Sequence, residues 1–157
     1  MTDPALPIAI RFIAEFEGFS DSPYKDSSGV FTIGFGFTYE QDGQPVTAST
    51  PPITREAAEA RLSELVANVL QCVRTLIRVP ITSHQAAALT SLAYNIGTGA
   101  LRTSTLLRLL NEGHTADAAA CFGQWILVSG RPDNGLRQRR NAEAILFMEP
   151  DNAVFSA

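Results

Sequence analysis

The sequence predicts an α+β protein with a small antiparallel β-lobe, a larger helical lobe and one long helix joining them. Three observations predict it. Residues 22–47 are rich in Gly, Ser, Tyr, Phe and Thr and carry turn signals, whereas the segments on either side repeat apolar residues at helical spacing. One amphipathic stretch runs unbroken from Thr54 to about Ile77, roughly 35 Å if helical and long enough to connect two lobes. Everything beyond Pro80 reads as helices separated by Gly or Pro stops. The expected layout is a single domain over 1–157, with a β-lobe at about 19–52 and a connecting helix at about 54–78. The helical lobe takes in about 78–150 and the N-terminal helix, and a cleft is expected between the lobes.

Each element has its own signal. Leu6, Ala9, Ile10, Ile13 and Phe16 mark a first helix over 6–17, and Gly18 stops it. VFTIGFGFTYE alternates in part with period two, which puts Phe31, Ile33, Phe35 and Phe37 on one face and Val30, Thr32, Gly34 and Gly36 on the other. Asp42-Gly43 is a hairpin turn signal. Thr54 is placed to cap the long helix, whose apolar face is Ala58, Leu62, Leu65, Val66, Val69, Val73, Leu76 and Ile77; Pro80 ends it. Thr82 with Gln85 resembles a capping box for a helix to Ile96. Further helices are expected over Ser104–Asn111, Thr115–Trp125 and Asn134–Met148.

Composition narrows the function. The chain has 157 residues, 45% apolar and 18% charged, a globular balance. A net charge of −4 and a pI near 5.1 exclude a nucleic-acid binder that relies on positive charge, and weaken bulk attraction to an anionic envelope. Arg131, Arg137, Arg139 and Arg140 are a local exception; a solvated face of the last helix is the plain reading of them. Cys72 and Cys121 read as two buried, reduced thiols. His84 and His114 have no ligand companions, so no metal and no cofactor is expected. The N-terminal MTDPALPIAIRFIAEF lacks a basic region before its apolar residues, and no apolar run is long enough to span a bilayer. No export signal and no membrane insertion are therefore expected, and a target outside the membrane would need another delivery route.

Chemistry concentrates in one stretch. Glu17 follows Ile13 by four residues and so falls on the apolar stripe of its helix, in the last turn. Burial and the helix dipole both disfavour its charged form, which suits a general acid. The plainer alternative is a Glu at the stripe's edge reaching water or an arginine. Asp26 opens the turn DSSG and would serve as a turn cap in any case. Thr32 presents a hydroxyl beside Gly34 and Gly36, which leaves room for a ligand near the backbone; a bend or bulge is the alternative use of those glycines.

Together these residues read E-G-x5-Y-x-D-x2-G-x2-T-x-G-x-G from Glu17 to Gly36. This pattern resembles the phage-type lysozymes of glycoside hydrolase family 24, the endolysins. The segments SLAYNIG, STLLRLLNEG, AAACFGQW and GLRQRRNAEAILF are similar to the helical core of that family's lambdoid members, so the resemblance runs from about residue 8 to 148. It implies a peptidoglycan hydrolase, an N-acetylmuramidase that inverts configuration, with no cofactor, working as a monomer on glycan strands. It also implies synthesis in the host cytoplasm and release to the periplasm through a holin or another route. In that frame Glu17 is the acid, Asp26 activates or orients a water, and Thr32 helps hold it. Gly36, Tyr94, Asn95 and Arg137 are expected at the substrate, and Arg137 or a neighbouring arginine is expected to pair with Glu17 and hold the acid in place. Trp125 is expected in the helical core. One departure stands out: Phe37 occupies a position where the family commonly has His. The alternatives are a non-catalytic wall-binding domain, a secreted wall-cutting effector and a lytic transglycosylase.

Overall fold

The structure, a computed structural model, describes residues 1–151. In chain order the elements are α1 (Ala5–Glu17), β1 (Ser20–Lys25), β2 (Phe31–Gly34), α2 (Arg55–Leu76), α3 (Ser83–Ile96), α4 (Thr98–Arg102), α5 (Thr105–Asn111), α6 (Thr115–Ala120), β3 (Leu127–Val128), β4 (Arg131–Pro132) and α7 (Asn134–Met148). They form two compact units, one of residues 10–65 and the other of residues 1–9 with those from 66 onward. The unit around the β-region is wider than the expected 19–52 because it takes in parts of α1 and α2.

In the unit of residues 10–65, β1 and β2 pair antiparallel with Tyr24 opposite Thr32 and Lys25 opposite Phe31; the register shifts between Ser20 and Tyr24. The alternation expected through Phe37 breaks at Gly34. Gly34 and Gly36 take φ of +64° and +78°, which residues with a side chain rarely adopt. The chain folds back, and Ile33 and Phe37 exchange two backbone hydrogen bonds of 2.9 Å each. The strand is lost but the burial is kept: Ile33, Phe35 and Phe37 are all buried, with Phe19 against Phe35 at 5.3 Å between ring centroids. The Asp42-Gly43 turn forms, with Gly43 at φ +85° and Asp42 accepting from the Gln44 amide at 3.0 Å. Thr54 caps α2 through Ala57, its hydroxyl oxygen accepting that amide at 3.2 Å.

In the other unit the capping box of Thr82 and Gln85 starts α3, whose residues Ala86–Ala93 are buried, and Gly97 closes it at φ +93°. Ser104 caps α5 and Asp133 caps α7. The helix expected to reach Trp125 ends at Ala120 and tightens into a 3-10 turn over Cys121–Gln124, leaving Trp125 half-buried. A short hairpin of β3 and β4 follows, which the sequence reading lacked.

Two expectations about side chains fail here. Cys72 is exposed on α2, while Cys121 is buried; both are free thiols. Arg139 and Arg140 do not lie on a solvated face. They are 5% and 1% exposed and converge on Glu143, which is fully buried. Arg140 Nε lies 2.8 Å from one Glu143 oxygen, Arg139 Nε lies 3.3 Å from the other, and the Ser91 hydroxyl donates to that second oxygen at 2.7 Å. Burial pushes the Glu143 carboxyl above the usual carboxylate range, while Arg140, Ser91 and Arg139 pull it back. The i,i+3 and i,i+4 spacing of Arg140, Arg139 and Glu143 is what lets one carboxylate face both guanidiniums. Among the described residues no helix is long and apolar enough to cross a membrane.

Candidate active site

Glu17 is the last residue of α1. Gly18 turns the chain away at φ +65°, its amide donating to Ala14 at 3.0 Å, so Glu17 is held at a helix end, half-buried. Its carboxyl group rests directly on the backbone of Gly36. A Cβ added at Gly36 would lie 2.9 Å from Glu17 Cδ and closer still to Oε2. The opening beside Thr32 that the glycines suggested is therefore occupied by the chain itself. Glu17 fills it at Gly36, and the Phe37 ring fills it at Gly34, where an added Cβ would approach to 2.6 Å.

Asp26 is half-buried and does cap its turn. Its Oδ1 accepts from the Ser28 amide at 2.8 Å and the Val30 amide at 2.9 Å, while its own amide donates to Val30 at 2.9 Å. Both side-chain bonds fall on Oδ1, so the second oxygen is the one available for chemistry. Thr32 lies on β2 and is buried at 3% exposure; its hydroxyl donates to the Val30 carbonyl at 3.1 Å. With its proton so used, the hydroxyl meets any further partner as an acceptor.

Tyr24 ties these groups together. It stands opposite Thr32 across the β1–β2 ladder. Burial raises its phenol pKa first, and the charges of Glu17 and then Asp26 raise it further. Both carboxylates thus act on one hydroxyl, which stays protonated at neutral pH. Tyr24 was part of the motif but not a candidate site residue. Its i,i+2 relation to Asp26 was the signal that could have found it.

Phe37 has a structural account. Its ring is 3% exposed, stacks edge-on near Phe35, and carries the Arg61 guanidinium 4.5 Å from its centroid. Arg61 also donates to the Tyr39 carbonyl. The apolar ring and its cation replace whatever polar contact a His would make there. The other expected site residues belong to the second unit. Tyr94 is half-buried and Asn95 exposed in the last turn of α3, and Arg137 is exposed in the first turn of α7. Among the described residues no group of three His, Cys, Asp or Glu could hold a metal ion.

The contact at Gly36 gives a prediction. Gly36→Ala is expected to cost about 1–3 kcal/mol through backbone strain and, by displacing the Glu17 carboxyl, about 10²-fold in activity. Gly43→Ala, with a similar φ of +85° but open space around it, is expected to lose stability alone. Melting curves beside rates would check the split; equal rates in both variants would contradict it.

The fold extends to solved proteins. An endolysin from Escherichia coli O157:H7 phage FAHEc1 matches with a TM-score of 0.80 at 36% identity, over 94% of this chain and 92% of that one. The class so defined is that of the lysozyme-like glycoside hydrolases. The chain belongs to the phage lysozyme family, whose profile matches residues 14–143. It is 40% identical over 139 residues to the endolysin of Acyrthosiphon pisum secondary endosymbiont phage 1, covering 86% of this chain and 91% of that protein. It is 39% identical over 141 residues to the endolysin of Bacillus phage B103, covering 88% of this chain but only 52% of that protein. The chain thus spans about half the length of the Bacillus phage relative and nearly all of the endosymbiont phage one.

Proposed function

We propose that the chain is an N-acetylmuramidase that hydrolyses the β-1,4 bond between N-acetylmuramic acid and N-acetylglucosamine in peptidoglycan, lysing the cell. The observation that carries this reading is a pair of carboxylates fixed within one unit of the chain, Glu17 held on the Gly36 backbone and Asp26 held in its turn, with the charges of both adding to the effect of burial in raising the Tyr24 pKa. Sugar hydrolysis through an oxocarbenium-like state needs such a pair of carboxyls.

In this reading Glu17 gives its proton to the glycosidic oxygen. A water held between Asp26 and Thr32 attacks the anomeric carbon from the opposite face. Thr32, its proton committed to Val30, accepts a hydrogen bond from that water, and the free Asp26 oxygen takes its proton. The configuration inverts. Tyr94, Asn95 and Arg137 are proposed as sugar contacts and Gly36 as a neighbour of the bound glycan. The enzyme works as a monomer and reaches the wall after release through a holin or another route.

Asp26→Asn separates the two uses of this residue. It keeps an Oδ1 to accept from Ser28 and Val30, so the turn should stand, but it removes the base. The rate of clearing permeabilised Gram-negative cells is expected to fall about 10²–10⁴-fold with little change in melting temperature. Most of the activity surviving, with anhydro-sugar ends on the products, would replace hydrolysis by transglycosylation.

A further inference from the structure

The cleavage reaction leaves one group of charges unused. In the unit that contains α3 to α7, a cavity of about 480 Å³ opens beside the end of α2, the connection to α3, and α5. Arg78, Arg102 and Arg108 line it with Thr105 and a single acid, Glu112. Arg108 is engaged, donating to the two Glu112 oxygens at 3.1 and 2.9 Å. Arg78 and Arg102 are exposed and have no ion-pair partner among the described residues, and the Thr105 hydroxyl has no hydrogen-bond partner there. Three cations against one acid leave two positive charges in excess, in a chain whose net charge is −4.

The frame of this cavity is fixed. Asn111 accepts from the Arg78 amide at 2.8 Å and donates to the Leu76 carbonyl at 3.0 Å, which pins the chain between α2 and α3 to α5. A net-negative protein is repelled by a polyanionic surface at long range, and a walled pocket that focuses positive potential overcomes this locally. Two guanidinium forks, which can only donate, and a hydroxyl that can also donate make the site rich in donors. They suit a phosphate, which offers several acceptor oxygens in a geometry that guanidinium matches in pairs. The volume lies within the range of pockets that hold a ligand larger than a lone ion.

We propose that Arg78, Arg102 and Thr105 form a second binding site, for a phosphate group carried on an anionic polymer of the bacterial envelope. The choice of an envelope polymer rests on the proposed wall-cutting function; the binding of phosphate does not. The site anchors the enzyme to its target through residues that take no part in cleavage.

The test is titration calorimetry at low salt with polyphosphate, inorganic phosphate and polyglutamate, on the full chain and on the double variant Arg78→Gln/Arg102→Gln. Polyphosphate is expected to bind the unaltered chain at least about tenfold tighter than the double variant, with the slope of log affinity against log salt shallower by about 1 to 2 in the variant. Polyglutamate is expected to bind more weakly than polyphosphate. Cleavage of phosphate-free glycan strands is expected to be the same in both proteins. Equal polyphosphate affinity in the two proteins, no binding by the unaltered chain, or polyglutamate binding as tightly as polyphosphate would overturn the site. So would a loss of phosphate-free cleavage in the double variant. Failure of the unaltered chain to cleave any glycan sinks the muramidase reading instead and leaves the titration to decide the site.

Discussion

Glu17→Gln is expected to lower the rate of glycan cleavage by about 10²–10⁴-fold while leaving the fold intact. Gln has nearly the shape of Glu, so the seat on the Gly36 backbone, too close for any Cβ, remains filled. The helix end is equally undisturbed, because Gly18 rather than the carboxylate turns the chain there. What Gln cannot do is give up a proton to the glycosidic oxygen. The loss should therefore appear in clearing of permeabilised cells and not in the melting temperature. Equal clearing by the two proteins would remove Glu17 from the chemistry.

Glu143→Ala is expected to destabilise the fold by about 3–5 kcal/mol, which for a chain of this length lowers the melting temperature by roughly 10 °C. The reason is the pair of guanidiniums left behind. Arg140 and Arg139 are 1% and 5% exposed, and Glu143 is the carboxylate both of them face at 2.8 and 3.3 Å. Removing the acid takes one carboxylate away from two buried guanidiniums, and the Ser91 hydroxyl loses its acceptor as well. Ile145→Ala on the same helix, at a position 72% exposed, should change stability little. A loss below about 1 kcal/mol in Glu143→Ala would mean that water reaches the arginines once the acid is gone.

Much of this architecture was legible in the sequence because its signals are local. Thr82 with Gln85, Ser104, and Gly97 after Ile96 each mark a helix boundary through a single cap or reversal, and the structure places the boundaries there. The last helix begins at Asn134 and ends at Met148, as its periodicity indicates. What escaped depends on tertiary context. The run from Phe31 to Phe37 reads as one alternating strand, yet positive φ at Gly34 and Gly36 folds it back. Period two picks out Ile33, Phe35 and Phe37 as buried, but it misses the burial of Thr32 and is blind to the reversal. The arginines before Asn141 look like a solvated basic run, because only packing against Ser91 shows that they face inward. The catalytic candidates were readable as residue types at a spacing. The contact between Glu17 and Gly36 was not, because it joins a helix end to a turn nineteen residues on.

The most direct test of the account is product analysis by mass spectrometry after digestion of purified peptidoglycan in water enriched in oxygen-18. Hydrolysis by Glu17 with a water held at Asp26 and Thr32 predicts fragments ending in a reducing N-acetylmuramic acid that carries one heavy oxygen. Fragments ending in an anhydro-sugar without the label, or in a reducing N-acetylglucosamine, would contradict it.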